Sequence, residues 1–360
     1  MARENAGIRE VAAAAGVSVT TVSHALSGRG QVSDETKRRV KAAADSLGYA
    51  PNRIARALRS QRSNLLGFVS EEIATTPYAG QILVGAQEAA AELGLMLMIV
   101  NVKRGTIDDP QIDALVAQQV DAMIYASSSH RVIRVPPKLD PARTVLVDAY
   151  DPAITSPAVV PDELGIGLLA TRRLLEAGHR RIVHLTVDED VPAVDGRERG
   201  YLEAMDEAGC PPVVVRVPGP ATAGAGYTAI GRALETDGDL TGIFAFNDQM
   251  AMGVYQAVGP DRDLSIPRDL SVVGVDDLRL IADALRPGLS TVALPHAEMG
   301  RRAVELASRL PLAKPRRDQV LRLPGRLIER ESIRQLGSLP IRDASGGGEN
   351  PSAGATVTVS

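Results

Sequence analysis

The sequence predicts an all-α helix-turn-helix headpiece joined by a short helical segment to an α/β core of two doubly wound parallel-sheet subdomains. Three observations carry this expectation. The run Val11–Ser27 reads as two short helices with a tight turn at Gly16. From Asn64 onward, continuous apolar runs alternate with helical segments, the pattern of buried parallel strands connected by helices. The charge also changes sign between these regions. Residues 1–62 hold eleven Lys and Arg against five Asp and Glu, a net of +6, which leaves −10 on the rest of a chain whose total is −4.

The headpiece follows from its apolar spacing. Val11, Ala12 and Ala15 form one face of the first helix, Val17 packs at the turn, and Val22 and Leu26 continue the face at i and i+4. Ser18 stands where the N-cap of the second helix belongs. A helix pair with a short Gly-containing turn is the DNA-binding helix-turn-helix pattern, whose second helix offers its N-terminal side chains to the major groove. An ordinary αα-hairpin has the same local signature, so the pair alone leaves both readings open. A third helix spans Ser33–Leu47. Ser33 caps it, Asp34 and Glu35 suit its positive end, Val40, Ala43, Ala44 and Leu47 make the buried stripe, and Gly48 ends it. Pro51–Ser60 has helical propensity and three arginines (Arg53, Arg56 and Arg59), but is too short to be stable alone. A basic headpiece on an acidic body suits a module that meets phosphates.

The core elements follow in order. Strand Leu65–Ser70 precedes helix Ala79–Leu93, which Gly94 closes. Strands Leu95–Val102, Ala122–Ser127 and Thr144–Ala149 come next, with a helix at Pro110–Gln119. Helix Glu163–Ala177 ends at Gly178, and is followed by strand Arg181–Leu185, helix Asp195–Ala208 and strand Val213–Val217. Helix Gly224–Glu235, strand Gly242–Phe246, helix Asp248–Val258 and strand Ser271–Val275 complete the series. With no Trp and few aromatics, the core must pack Ala, Val, Leu and Ile. The Gly/Ser/Thr-rich tail, 341–360, reads as disordered.

Several function classes are disfavoured. Cys210 is the sole cysteine, which excludes a disulfide framework or thiolate cluster, and the five histidines lack metal spacing. The longest apolar run, Leu93–Val102, is far short of a membrane span, and the N-terminus lacks a signal-peptide pattern, so a cytoplasmic location is expected. Gly165-Ile166-Gly167-Leu168-Leu169-Ala170 imitates a dinucleotide fingerprint but falls inside a helix, after Pro161, Asp162 and Glu163, so no cofactor is expected. Ser127-Ser128-Ser129-His130 reads as a loop whose adjacent residues have no fixed base–nucleophile geometry, and no enzyme chemistry is expected.

The stretch GIREVAAAAGVSVTTVSHALSGRGQVSDETKRRVKAAADSLGYAPNRIARALRS resembles the headpiece and hinge of the LacI/GalR family of bacterial repressors. The body resembles that family's sugar-binding core, itself similar to type I periplasmic binding proteins. The landmarks are GHRRIVHL from Gly178, GRERGYLEAM from Gly196, FAFNDQMAMGVYQA from Phe244, SVVGVDD from Ser271 and LSTVALPHAEMGRRAVELA from Leu289. The resemblance covers about residues 7–335 and implies a headpiece at 1–50, a hinge helix at 51–62 and an effector-binding and dimerisation core at 63–340. Within the core it implies an N-subdomain at 63–161 and 292–322 and a C-subdomain at 162–291 and 323–340, with crossings near Asp162, Ser290 and Leu323.

The resemblance also implies site residues. DNA contacts fall on Ser18, Val19, Thr20, Thr21, Ser23, His24 and Arg29, and on Asn52, Arg53, Ala55 and Leu58 of the hinge. Val19 can pack on a thymine methyl, Thr20 can bond several base edges, and His24 stands where many family members carry Arg, which leaves the half-site sequence open. Leu58 either wedges between central base pairs or packs against the body. Effector contacts fall on Tyr78, Asp162, Arg197, Asn247 and Asp276. Arg197, expected at the opening of a helix, and Asp276 should reach the effector from opposite sides of the cleft. A guanidinium fork facing Asp and Asn acceptors suits a polyhydroxylated ring such as a sugar. Taken singly, such acidic residues equally cap helices or end strands, and Tyr78 is either a ring platform or a core aromatic. The expectation is a homodimeric repressor of near-palindromic operator DNA, controlled by a small-molecule effector, with no cofactor, metal or membrane partner. The alternative is a solute-binding protein of a sugar transport system.

Overall fold

The computed structural model describes residues 7–27, 30–49, 63–77, 79–106, 109–153, 156–258, 263–310, 319–336 and 358–359. Arg29, the hinge at 51–62 with Asn52, Arg53, Ala55 and Leu58, and Tyr78 lie outside the described residues. The chain divides into two compact units, one ending at Asn64 and the other beginning at Leu65.

The first unit packs three helices, α1 (Ile8–Ala15), α2 (Val19–Ser27) and α3 (Asp34–Ser46). Gly16 closes α1 in the left-handed conformation at φ +62°, which costs a residue without Cβ little. Ser18 Oγ accepts from the backbone N–H of Thr21 at 3.1 Å, and Ser33 Oγ accepts from that of Thr36 at 3.3 Å. Val11, Ala12, Ala15, Val22, Val40 and Ala44 form the small core, with Val17, Leu26, Ala43 and Tyr49 packed against it. Leu47, expected in that stripe, is 38% exposed. It is the C-cap residue, where the helical 3.6-residue period stops, and Tyr49 folds back through its N–H to Ala44 O at 2.9 Å. Arg39 Nε donates to Ala15 O at 2.9 Å, tying α3 to an orphan carbonyl at the end of α1.

The second unit holds two sheets. The first, in order β11-β5-β4-β3-β1-β2, is built from β1 (Leu65–Glu71), β2 (Met96–Val102), β3 (Ala122–Val132), β4 (Thr144–Tyr150), β5 (Ala158–Pro161) and β11 (Val320–Leu323). The second, in order β12-β10-β9-β8-β6-β7-β13, is built from β6 (Ile182–Val187), β7 (Val213–Val217), β8 (Gly242–Ala245), β9 (Ser271–Asp276), β10 (Ser290–Ala293), β12 (Arg326–Ile328) and β13 (Thr358–Val359). Every strand pair is parallel except β10–β12.

Helices cover these sheets: α4 (Gly80–Glu92), α5 (Pro110–Ala117), α6 (Glu163–Glu176), α7 (Pro192–Glu207), α8 (Ala223–Thr236), α9 (Asp248–Ala257), the single turn α10 (Arg279–Ala282) and α11 (His296–Ala307). Apolar strands sandwiched by helices give each half cores on its sheet's faces, dominated by Val, Ile, Leu and Ala.

The chain passes between the sheets three times, after Pro161, after Ala293 and after Leu323. The middle passage lies beyond Ser290 because all of β10 pairs with β9 in the second sheet. Three features differ from the sequence expectation. First, β3 runs on to Val132 through a register break between Ala126 and Arg131, so Ser127–His130 are strand rather than loop. Second, α7 begins at Pro192, whose fixed φ suits a first helical position, which places Arg197 inside the helix and not at its opening. Third, Thr358 and Val359 pair with Val214 and Val215, so these two tail residues are strand; the rest of 341–360 lies outside the described residues.

Candidate functional site

The carboxyl ends of the strands of both halves meet where the chain crosses between sheets, the position at which open parallel sheets hold ligands. Arg197 is the centre of a charged cluster there. It is 4% exposed, and its Nε donates to Glu163 Oε2 at 2.8 Å while Nη1 donates to Phe246 O at 2.7 Å. Its guanidinium carbon lies 4.5 Å from the centre of the Phe246 ring. The glycines that imitated a dinucleotide loop explain this placement. A Cβ on Gly167 would stand 2.2 Å from the carbonyl oxygen of Arg197, and one on Gly200 2.3 Å from that of Leu164, so α6 and α7 cross closely because these positions carry no side chain.

Glu163 opens α6 and links the two halves. Its Oε1 faces His130 Nδ1 of β3 at 3.2 Å, while Oε2 holds Arg197. Burial works to raise the Glu163 pKa, but Arg197 and His130 outweigh it and hold the carboxyl down at about 2. Asp148, near the end of β4, is 2% exposed and sits at φ +53°. Burial pushes it up to about 7, with His130 and Arg197 opposing the rise and Glu163 and Asp276 adding to it. Its Oδ1 has no hydrogen-bond partner among the described residues. Asp276, the last residue of β9, has φ +120° and is likewise raised to about 7 by burial, against Arg197 and with Glu163. Three carboxyls, one guanidinium and one imidazole from five elements thus share one region, in which Asp148, Glu163 and Arg197 are buried and His130 and Asp276 half-buried.

The sequence-named residues divide. Arg197 and Asp276 are in the cluster, but both belong to the second half, so they flank the region from one side of the cleft and not from opposite sides. The first half contributes Asp148 and His130 instead. Asp162 is the N-cap of α6, accepting from Gly165 N at 3.2 Å, and Asn247 is the N-cap of α9. Both ends of the Asn247 amide are engaged, Oδ1 by Met250 N at 2.8 Å and Nδ2 by Ala221 O at 3.0 Å. Asp248 is fully buried and braces the segment after β9, accepting from Leu278 N at 2.7 Å and Thr291 Oγ1 at 2.6 Å. Burial and the neighbouring Asp276 raise its pKa well above the usual range.

Sequence reasoning missed Asp148, Glu163 and His130. The signal for Asp148 was present: an acid near the end of the apolar strand TVLVDAY, as Asp276 ends SVVGVD. A second charged group lies in the first half. Glu71, 1% exposed, accepts from Gly105 N at 2.8 Å, Tyr125 Oη at 3.3 Å and Ser127 Oγ at 3.1 Å, and pairs with Arg131 Nη2. Among the described residues, no group of His, Cys, Asp and Glu could hold a metal ion, and no helix is long and apolar enough to cross a membrane.

On the headpiece, Ser18, Val19, Thr20 and His24 are exposed, while Thr21 and Ser23 are partly buried. Val19, an apolar residue at the N-terminus of α2, is 41% exposed. The hydroxyls of Ser18 and Thr21 lie 2.8 Å apart and bond each other, which makes the cap the main work of that pair in the free protein.

Comparison with known proteins agrees with both units. Residues 7–52 match the model for bacterial regulatory proteins of the lacI family, and residues 171–333 match the periplasmic binding protein-like domain. The HTH-type transcriptional regulator DegA of Bacillus subtilis is 31% identical over 341 residues, spanning 91% of this chain and 98% of that protein. The ribose operon repressor of Escherichia coli is 30% identical over 335 residues, spanning 91% and 99%. The transcriptional regulator CelR, solved as a complex with cellobiose, is 29% identical, covers 91% of this chain and 99% of its own, and superposes with a TM-score of 0.62.

Proposed function

Because this chain belongs to the LacI family of bacterial regulatory proteins and is a DNA-binding transcriptional regulator, we propose that it acts as a homodimeric repressor whose operator binding is set by a sugar held between the two halves of its core. The observation that carries the effector reading is Asp148. A carboxylate oxygen buried at the strand ends, unpartnered among the described residues and beside Asp276 and Arg197, is a recognition surface for hydroxyl donors. The name of the ribose operon repressor and the cellobiose bound to CelR support the same class of ligand.

The mechanism follows from where the cluster lies. A ligand moves a conformational equilibrium only through unequal affinity for the two states. Glu163 and Arg197 of the second half and His130 and Asp148 of the first are all within the cluster, so hydroxyls bound there act on the contact between halves directly. In the headpiece, Val19 and Thr20 of α2 are the proposed base readers, with His24 at the groove edge.

Gel-shift of the full chain with genomic fragments, with and without each of a panel of sugars, tests the reading. A fragment should be retained in a sugar-dependent way, and Asp148→Asn and Asp276→Asn should abolish the dependence while leaving DNA retention. If no genomic fragment is retained above non-specific DNA, the regulatory reading falls. If fragments are retained and the Asp variants respond normally to the sugar, the cleft assignment falls.

A further inference from the structure

Building on the cleft as the effector site, we infer that it selects uncharged or cationic polyhydroxyl molecules and excludes phosphorylated or carboxylated ones. Most of the charged groups here are already engaged with one another. Three arginines lie near the strand ends of this region, and each is paired with a carboxylate. Arg197 holds Glu163, Arg131 holds Glu71, and Arg330 holds Asp277 and Asp283, both at 2.7 Å. The imidazole of His130 faces Glu163 as well. The remaining demand is for donors: among the described residues, Oδ1 of Asp148 has no partner and no side-chain hydrogen bond joins Asp276 to another residue.

An entering phosphate or carboxylate would face three carboxyls, Asp148, Asp276 and Glu163, against one guanidinium and one imidazole, Arg197 and His130. Arg197 already spends Nε on Glu163 and Nη1 on Phe246 O, so an anion drawn to its remaining donors would compete for the charge that holds Glu163, a carboxyl otherwise facing only His130. Stripping a buried carboxylate of its guanidinium is among the costlier changes a site can undergo. Hydroxyls require no such exchange. Each O–H donates to Asp148 or Asp276, and the Arg197–Glu163 pair stays intact.

This arrangement also fixes the sign of the pH dependence. Asp148 and Asp276 are held near 7 by burial, so at neutral pH each is part-ionised. Hydroxyl donors stabilise the ionised forms, release protons on binding and make affinity rise with pH through about 7. An anionic ligand would instead demand the protonated forms, and its affinity would fall over the same window.

The test uses the full chain and matched sets: glucose, glucose 6-phosphate and gluconate; ribose and ribose 5-phosphate; cellobiose and cellobionate. Thermal shift identifies binders, and calorimetry at about pH 6 and pH 8 gives the slope, with up to roughly tenfold per titrating group per pH unit available. Only uncharged members should stabilise the protein, more tightly at the higher pH. Tighter binding of any phosphorylated or carboxylated member than of its neutral counterpart overturns the inference. A second arm needs no knowledge of the effector. Hydrogen exchange is followed in peptides covering residues 126–132, 144–150 and 160–168, with inorganic phosphate against chloride at equal ionic strength. Unchanged exchange supports the exclusion of anions, and protection by phosphate overturns it. If every sugar is silent, the sugar-effector reading is what fails, while the phosphate arm still decides the charge preference.

Discussion

Removing Arg197 should destabilise the core, and the amount can be worked from its contacts. Arg197→Met deletes the 2.8 Å pair to Glu163, the 2.7 Å bond to Phe246 O and the stack on the Phe246 ring. It keeps a side chain of similar length in a pocket only 4% exposed. The larger loss is the cation itself, because Glu163 stays buried as a carboxylate whose low pKa depends on that cation. Breaking a buried pair by removing one partner costs about 3–5 kcal/mol. At roughly 2–4 °C per kcal/mol for a domain of this size, the core transition should fall by about 6–20 °C. Glu163→Gln should also destabilise, since it strands Arg197 among Asp148 and Asp276 with weaker acceptors. In the double variant neither group is stranded opposite the other, so its loss should be smaller than the summed single losses by at least about 2 kcal/mol. The assay is chemical and thermal unfolding of the four proteins at pH 7, followed by a probe specific to the core. Additive losses within about 0.5 kcal/mol would mean that the two residues act independently, and the account of the cluster would be wrong.

Further expectations concern the same residues and the headpiece. Asp148→Asn should stabilise the core at about pH 8, where the wild-type carboxyl is ionised in a buried site. A carboxyl with a raised folded pKa contributes stability in acid that is lost as pH rises through 7, so the variant's advantage should shrink towards pH 4, from an upper bound of about 4 kcal/mol for a three-unit shift. Gel-free unfolding across that range checks this, and a pH-independent difference refutes it. Gly167→Ala should destabilise the α6–α7 crossing and weaken effector response together, because its Cβ would stand 2.2 Å from Arg197 O; unchanged melting would show that the helices part without cost. Asn247→Ala should cost about 1 kcal/mol as the loss of an N-cap and leave effector affinity intact, since both amide ends already bond the backbone. Replacing Val19 and Thr20 together should change the operator recovered by selection from random DNA while non-specific affinity and its salt slope stay the same; recovery of the same consensus would remove them as base readers.

How much was legible in the sequence depended on how local the signal was. Ser18, Ser33 and Gly16 act within three residues of themselves, so the headpiece helices and their caps could be read directly from residue order. The same holds for the alternation of apolar strands and helices, which determined two parallel-sheet halves, and for the charge asymmetry between headpiece and body. The family motifs directed attention to Arg197 and Asp276 for the same reason, as short patterns at fixed spacing. What those residues touch was not local. Arg197 meets Glu163 from 34 positions away and Phe246 from 49, and His130 reaches Glu163 across 33. These distances close only when the chain has crossed between the sheets and α6 has packed on α7 at Gly167. Asp162 is the same residue type as Asp148 and Asp276, yet its side chain caps a helix, while Oδ1 of Asp148 meets no partner and Asp276 makes no side-chain hydrogen bond among the described residues. An acid after a strand is compatible with either role. Which one it takes is decided by whether a helix N-terminus or the opposite half of the protein lies within hydrogen-bond reach, and that is fixed by packing between residues far apart in the chain.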